Sequence, residues 1–371
     1  MILRGYLVAV STLLLFIGNG AMAQTMVNPD LSVIGDIRGI MADRPEDVGQ
    51  EQKTVYELHE VELAAHGDLN QYAHADVFFA WHDDYAEVEE AYVTFERGLP
   101  GGLSVRAGRY LANFGRLSLL HPHTYSFIDR PLAPNEYLGD HGFADDGVSL
   151  RWLMPVSVVD AEISVDLIRG AAFVGHYHHD HEDEAHIPPD KGFLSHLSIA
   201  GATGEFSEIA GGISFAYGHY DPAENLISML LGADIKYEYR PDHHRSMAFQ
   251  AEVLLNRRET AGEHNLGENG EGEDHEQEGV ERTYENFWGA YAVIDYQFHE
   301  KYNVGAKFDY YQPLADEDTE VAQAQAFIGF APAEKTTMLR LAGYYRKPTD
   351  REGTFGVTMQ LVFALGSHHE H

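Results

Sequence analysis

Two stretches of this chain are dense in groups that bind metal ions. The first reads Gly175-His-Tyr-His-His-Asp-His-Glu-Asp-Glu-Ala-His186, and the second runs from Glu263-His264 to His275-Glu-Gln-Glu278 through acids and glycines. Neutral imidazole suits Zn, Cu and Ni, and carboxylates add harder oxygen ligands. In the first stretch His176, His178, His179, Asp180, His181, Glu182 and His186 can supply three or four ligands by folding of the loop alone. No His-Glu-x-x-His and no fixed tetrahedral spacing is present, so capture would be weak, exchangeable and pH-dependent. In the second stretch only His264 and His275 accompany the acids, and a solvated hydrophilic loop reads equally well. The ligand set alone does not separate zinc from nickel or copper.

Composition narrows the field. Of 371 residues, 59 are acidic and 25 basic, for a formal charge of −34; 22 are histidine and none is cysteine. A field of that sign repels phosphate backbones and attracts cations, so nucleic acid is excluded as a partner. Without cysteine there is no disulfide, thiolate metal site or cysteine nucleophile. No Gly-x-Ser-x-Gly and no other spacing that demands catalysis is present, so an enzyme is not expected; no cofactor is required, and weakly bound zinc is the metal the histidine loops suggest first.

The elements that must position these groups are short alternating segments. Phe355, Val357, Met359, Leu361, Phe363 and Leu365 share one parity; Gly356, Thr358, Gln360 and Ala364 share the other. Met247 to Leu255 and Ala322 to Phe330 repeat the device. A period of two sends successive side chains to opposite faces of a sheet. Sixteen such segments are predicted, over 31–41, 54–66, 72–82, 86–96, 102–112, 145–154, 159–169, 193–203, 208–219, 227–240, 245–257, 283–298, 302–312, 320–331, 336–347 and 354–365. The even connections are short, as at Gly67–Gln71 and His299–Lys301; several odd ones are long, above all Leu111–Ala144, Gly170–Gly192 and Arg258–Arg282. Short turns on one side and long loops on the other fit a transmembrane antiparallel β-barrel with both termini in the periplasm, and two levels of Tyr and Phe fit its interfacial girdles. At the N-terminus Arg4, the apolar run Val8 to Ile17 and Ala21-Met22-Ala23 before Gln24 read as a cleaved export signal over 1–23, leaving 24–371 as the barrel.

The region after the fifth segment carries Gly108-Arg-Tyr-Leu-Ala-Asn-Phe-Gly-Arg116, His121-Pro-His123 and Phe127-Ile-Asp-Arg-Pro-Leu132. With Leu58-His-Glu-Val-Glu-Leu63, Glu89-Glu-Ala-Tyr-Val-Thr-Phe95, Leu99-Pro-Gly-Gly102 and Asp145-Asp-Gly-Val-Ser-Leu150, it resembles phosphate-selective-type porins and related outer-membrane proteins, some labelled zinc-regulated receptors. The likeness covers mainly 55–155; later segments match in pattern only. It implies an all-β, 16-stranded porin-like barrel in the outer membrane of a Gram-negative-type bacterium, with the long third extracellular loop folded inward to narrow the pore. Energised transport through a separate plug domain is not expected, because strand signals begin about ten residues after the predicted cleavage site.

That resemblance makes Arg106, Arg109, Arg116, Arg130 and Arg151 candidates for one wall of the constriction, and Glu60, Glu62, Asp76, Glu90 and Glu96 for another. Facing rows of charge would orient polar solutes; the alternative is mutual neutralisation in a wet lumen. His121, His123 and His141 read singly as structural or pore-lining residues, and together as steps along an ion's route. The expected function is passive passage or capture of divalent metal, zinc first, or of small solutes. A general or anion-selective porin with incidental histidine loops, or a non-conducting metal-sequestering surface barrel, are the alternatives. The expected partners are outer-membrane lipid and the transported solute, with a homotrimer by analogy to 16-stranded porins.

Overall fold

The computed structural model describes residues 29–49, 52–82, 85–139, 142–174, 191–261, 282–316, 318–333 and 336–366. The expected export signal over 1–23, the candidate ligands His176, His178, His179, Asp180, His181, Glu182, His186, His264 and His275, and His141 lie outside the described residues. Sixteen antiparallel strands follow one another in chain order and close on themselves, each hydrogen-bonded to its sequence neighbours and the first to the last. They are β1 (Asp30–Ala42), β2 (Thr54–Asn70), β3 (Ala73–Trp81), β4 (Ala86–Phe95), β5 (Leu103–Leu111), β6 (Ala144–Met154), β7 (Asp160–Ile168), β8 (Gly192–Gly204), β9 (Ser207–Asp221), β10 (Leu226–Tyr239), β11 (Ser246–Ala261), β12 (Arg282–His299), β13 (Tyr302–Tyr311), β14 (Val321–Ala333), β15 (Thr337–Pro348) and β16 (Thr354–Gly366).

The alternation fixes which way each strand faces. Along β1, Ser32, Asp36 and Arg38 are buried toward the axis while Leu31, Ile37 and Met41 stand exposed on the outer face. Along β16, Thr358 and Gln360 are buried and Phe355, Met359 and Leu365 exposed. The apolar exterior is the lipid-facing side of a transmembrane barrel, and closure leaves no unpaired sheet edge within it. Aromatics gather at two levels. Phe298, Tyr302 and Phe330 stack at the short-turn end, with ring centroids 6.0 and 4.9 Å apart, and Tyr345 meets Phe355 at 4.5 Å at the long-loop end.

Between β5 and β6 the third long loop, L3, turns into the barrel. Its apolar residues would be stranded in water outside, so they pack on inward side chains that interrupt the polar lumen. Phe114, Tyr137, Leu138 and Phe143 join Phe78, Leu194, Ala216, Leu230, Leu254 and Phe287 in one buried cluster. Leu117, Tyr125, Phe127 and Ile128 join Tyr291, Val293, Phe327 and Ala342 in a second. A short helix within L3, α1 (Leu132–Leu138), starts after Pro131 and stops at Gly139, whose positive φ suits a residue without Cβ. After β7 a single helical turn, α2 (Ala171–Val174), inserts Phe173 against Phe143.

Candidate functional site

Two irregularities, in strands on either side of β3, prepare one patch of the inner wall. In β2 the pairing with β1 steps from Asp36↔Glu60 to Ile37↔Leu58, leaving His59 as an extra residue. In β4 the pairing with β3 steps from Phe78↔Glu90 to Phe79↔Val88, leaving Glu89 extra. A β-bulge of this kind re-aims side chains at the cost of one unpaired residue. Strict alternation would send one of Glu89 and Glu90 into lipid; with the bulge both are buried toward the axis. Glu60 and Glu62 are buried on the same side, and only small Ala80 lies beside Glu62 on β3.

L3 brings two imidazoles to this wall. Pro122 begins a single turn in which the Thr124 N–H and hydroxyl both donate to the His121 carbonyl, at 2.9 and 2.7 Å. The turn stacks His121 on His123, with centroids 5.6 Å apart, and Phe78 lies against His121 at 4.7 Å. His121 Nδ1 lies 3.0 Å from Glu62 Oε2 and 3.7 Å from Glu89 Oε2, and its Nε2 lies 3.0 Å from Glu90 Oε1. His123 Nδ1 is 3.9 Å from the same Glu62 oxygen. The other Glu90 oxygen accepts from the Leu111 N–H at 2.8 Å. Burial alone would lower the His121 imidazole; hydrogen bonds to Glu62 and Glu90 outweigh it and hold the ring well above its ordinary value. Two triads of potential ligand atoms result, Glu62–Glu89–His121 and Glu60–Glu62–His123, each within 4.8 Å of one another. A cavity of about 430 Å³ adjoins the cluster at the long-loop end, lined by Glu87, Glu89, Arg109, Glu136 and Arg258 among others.

The rest of L3 is tied to the opposite side. Gly115 donates its N–H to Ser214 on β9 at 2.8 Å, and a Cβ there would collide with the Glu252 carboxylate on β11. Arg116 donates twice to Asp234 Oδ1 on β10, at 3.0 and 2.8 Å. Lys307 on β13 donates to the Asp129 carbonyl at 2.8 Å, Asp309 accepts from the Leu132 N–H at 3.0 Å, and Arg340 on β15 donates to the Tyr125 carbonyl. L3 therefore bridges the lumen from β2–β4 to β9–β15.

No family model matches the chain. A protein of Aquifex aeolicus, named only as uncharacterized, is 26% identical over 397 residues, covering 92% of this chain and 79% of its own. The anion-selective porin from Comamonas acidovorans superposes with a TM-score of 0.59 at 11% identity, covering 91% of this chain and 99% of the porin. The outer membrane channel DcaP of Acinetobacter baumannii gives 0.56 at 12%, covering 94% and 99%, and Salmonella typhi OmpF gives 0.56 at 10%, covering 91% and 97%. The barrel is porin-like.

Within this porin-like barrel the candidates separate into groups. Glu60, Glu62, Glu90, His121 and His123 come together. Asp76 stands apart, paired with His66 at 2.7 Å and His74 at 3.3 Å. Arg106 stacks over the Tyr92 ring at 4.3 Å, Arg151 pairs with Glu162 at 2.7 Å, and Arg130 donates to the Tyr125 hydroxyl at 3.4 Å. Arg109 donates to the Val88 carbonyl at 2.8 Å. The arginines thus do not form one row facing a row of acids. Glu96 is exposed in the turn after β4, outside any constriction. Two residues escaped the sequence reading. Glu89 was hidden by its lipid-side parity, although two adjacent acids inside a strand signal a bulge. Asp234 gave no signal, because only the path of L3 brings Arg116 to it.

Proposed function

We propose that this protein is a passive outer-membrane channel for small hydrophilic solutes, with divalent metal ions, zinc first, as preferred cargo. The observation that supports a cation is the gathering of acidic side chains on one patch inside the closed barrel. Arg116 and Arg151 are paired to Asp234 and Glu162, whereas Glu60, Glu62, Glu89 and Glu90 gather around two histidines beside a cavity at the mouth. Such a wall raises the local concentration of cations, and the overall charge of −34 adds to it. The histidine-rich stretches at 175–189 and 263–278 would collect metal ahead of it. The chain would sit in outer-membrane lipid, as a trimer by analogy with other porins.

Reversal potentials in planar bilayers under a salt gradient test this reading. The expected result is cation preference that falls when residues 175–189 are deleted. Anion preference indifferent to the deletion would favour an anion-selective channel instead, for which Arg106 and Arg130 are the specific observation: neither guanidinium is in a carboxylate pair among the described contacts. Absence of conductance would leave a metal-sequestering surface barrel.

A further inference from the structure

We propose that Glu62, Glu89 and the Nδ1 of His121 form a binding site for one divalent transition-metal ion of the zinc type, with Glu60 and His123 completing it around the shared Glu62 carboxylate. The donor set is mixed imidazole and carboxylate, which suits zinc and its neighbours and disfavours the hard cations that take oxygen alone. Spacing fits as well. Bonds of about 2 Å in tetrahedral geometry place ligand atoms roughly 3.3 Å apart. His121 Nδ1 is 3.0 Å from its Glu62 partner and 3.7 Å from its Glu89 partner, on either side of that value.

Three further features point to a ligand. The Glu62 side chain is 0% exposed, and its Oε1 has no hydrogen-bond partner among the described residues. A carboxylate so placed calls for a cation. Second, Nε2 of His121 faces Glu90, which is itself held by the Leu111 N–H. That is the carboxylate–histidine–metal arrangement, in which an outer carboxylate orients the ring and leaves the other nitrogen for the ion. Third, Glu89 also lines the cavity at the mouth, giving an entry path. The ligands come from β2, β4 and L3, so a bound ion would clip L3 to the wall. These groups are buried and pre-arranged, and binding here needs no ion to cross the membrane.

Full-length protein folded in detergent and stripped with EDTA is titrated with ZnCl2 against a fluorescent zinc chelator strong enough to mask the loop histidines. One ion per chain is expected, with affinity lowered at least about 100-fold in E62Q and in H121N, and about 10- to 100-fold in E90Q, which removes only the outer carboxylate. Circular dichroism checks that each variant keeps its sheet; if E62Q does not fold, E89Q gives the same reading from the cavity side. Wild-type affinity in E62Q, H121N or E89Q, or no competing site in the unmodified chain, overturns the proposal. A zinc-binding barrel without conductance would uphold the site and refute the channel, and a conducting barrel without tight zinc would do the reverse.

Discussion

Arg116 offers the sharpest test of how L3 is held. Its guanidinium makes two hydrogen bonds to one oxygen of Asp234, whose side chain is 0% exposed while that of Arg116 is 22% exposed. Truncation in R116A leaves a buried carboxylate without its counter-charge, which costs about 3 to 5 kcal/mol in fully buried pairs. The partial exposure of the arginine argues for the lower end, about 3 kcal/mol, or roughly a 150-fold fall in the ratio of docked to undocked loop. L3 covers inward residues such as Leu194, Leu230 and Leu254, so undocking widens the lumen. Single-channel recording should therefore show R116A visiting a larger conductance level that wild type rarely visits. R116L/D234L, which removes both charges at similar volume, should return near wild-type behaviour, because a buried ion pair exchanged for apolar groups is often neutral. If R116A conducts as wild type does, or if the double variant is as noisy as the single, the pair does not hold the loop.

Gly115→Val should loosen the same segment, since φ is +66° and the added side chain would meet Glu252; the readout is new trypsin cleavage at Arg116 and Arg130, protected in wild type. Lys307→Met removes the ammonium beside Asp309, both side chains being 0% exposed. A loss of about 3 to 5 kcal/mol in guanidinium unfolding is expected, largely recovered by adding D309N. Val253→Arg places a charge on the outer face midway along β11, where about 2 to 4 kcal/mol should be lost in lipid vesicles, far more than for Gln250→Arg on the polar face.

Much of this was legible in the residues, because a period of two needs no knowledge of the partner strand. All sixteen predicted segments are strands. The largest misjudged ends are those of β2, expected to stop at 66 but continuing to Asn70, and of β11, expected to stop at 257 but continuing to Ala261, where Arg258-Glu-Thr-Ala lacks apolar alternation yet pairs with β12, Thr260 meeting Thr283 at 2.8 Å. Parity also marked Glu60, Glu62 and Glu90 as inward. The bulge at His59 was not legible, since it depends on the register of two strands at once, and the one at Glu89 was marked only by two adjacent acids. Nor was the meeting of His121 with Glu62, which depends on the path of a loop whose contacts lie far along the chain. A Phe-Gly pair could be noticed, but that Phe114 enters an apolar cluster and Gly115 clears Glu252 follows only from the docked loop.

The bridging path of L3 bears on how the cylinder is made. The loop leaves β5, yet most of its anchors sit on β9 to β15, which emerge later from the ribosome. Docked last, it would have to carry its apolar residues through water into a lumen already closed, so docking before closure is the expected order. The growing ribbon would then curl around a segment already present, as cloth is wound on a mandrel. Lesions in L3 should then slow assembly itself, and the amount of finished barrel should fall along with any change in its pore.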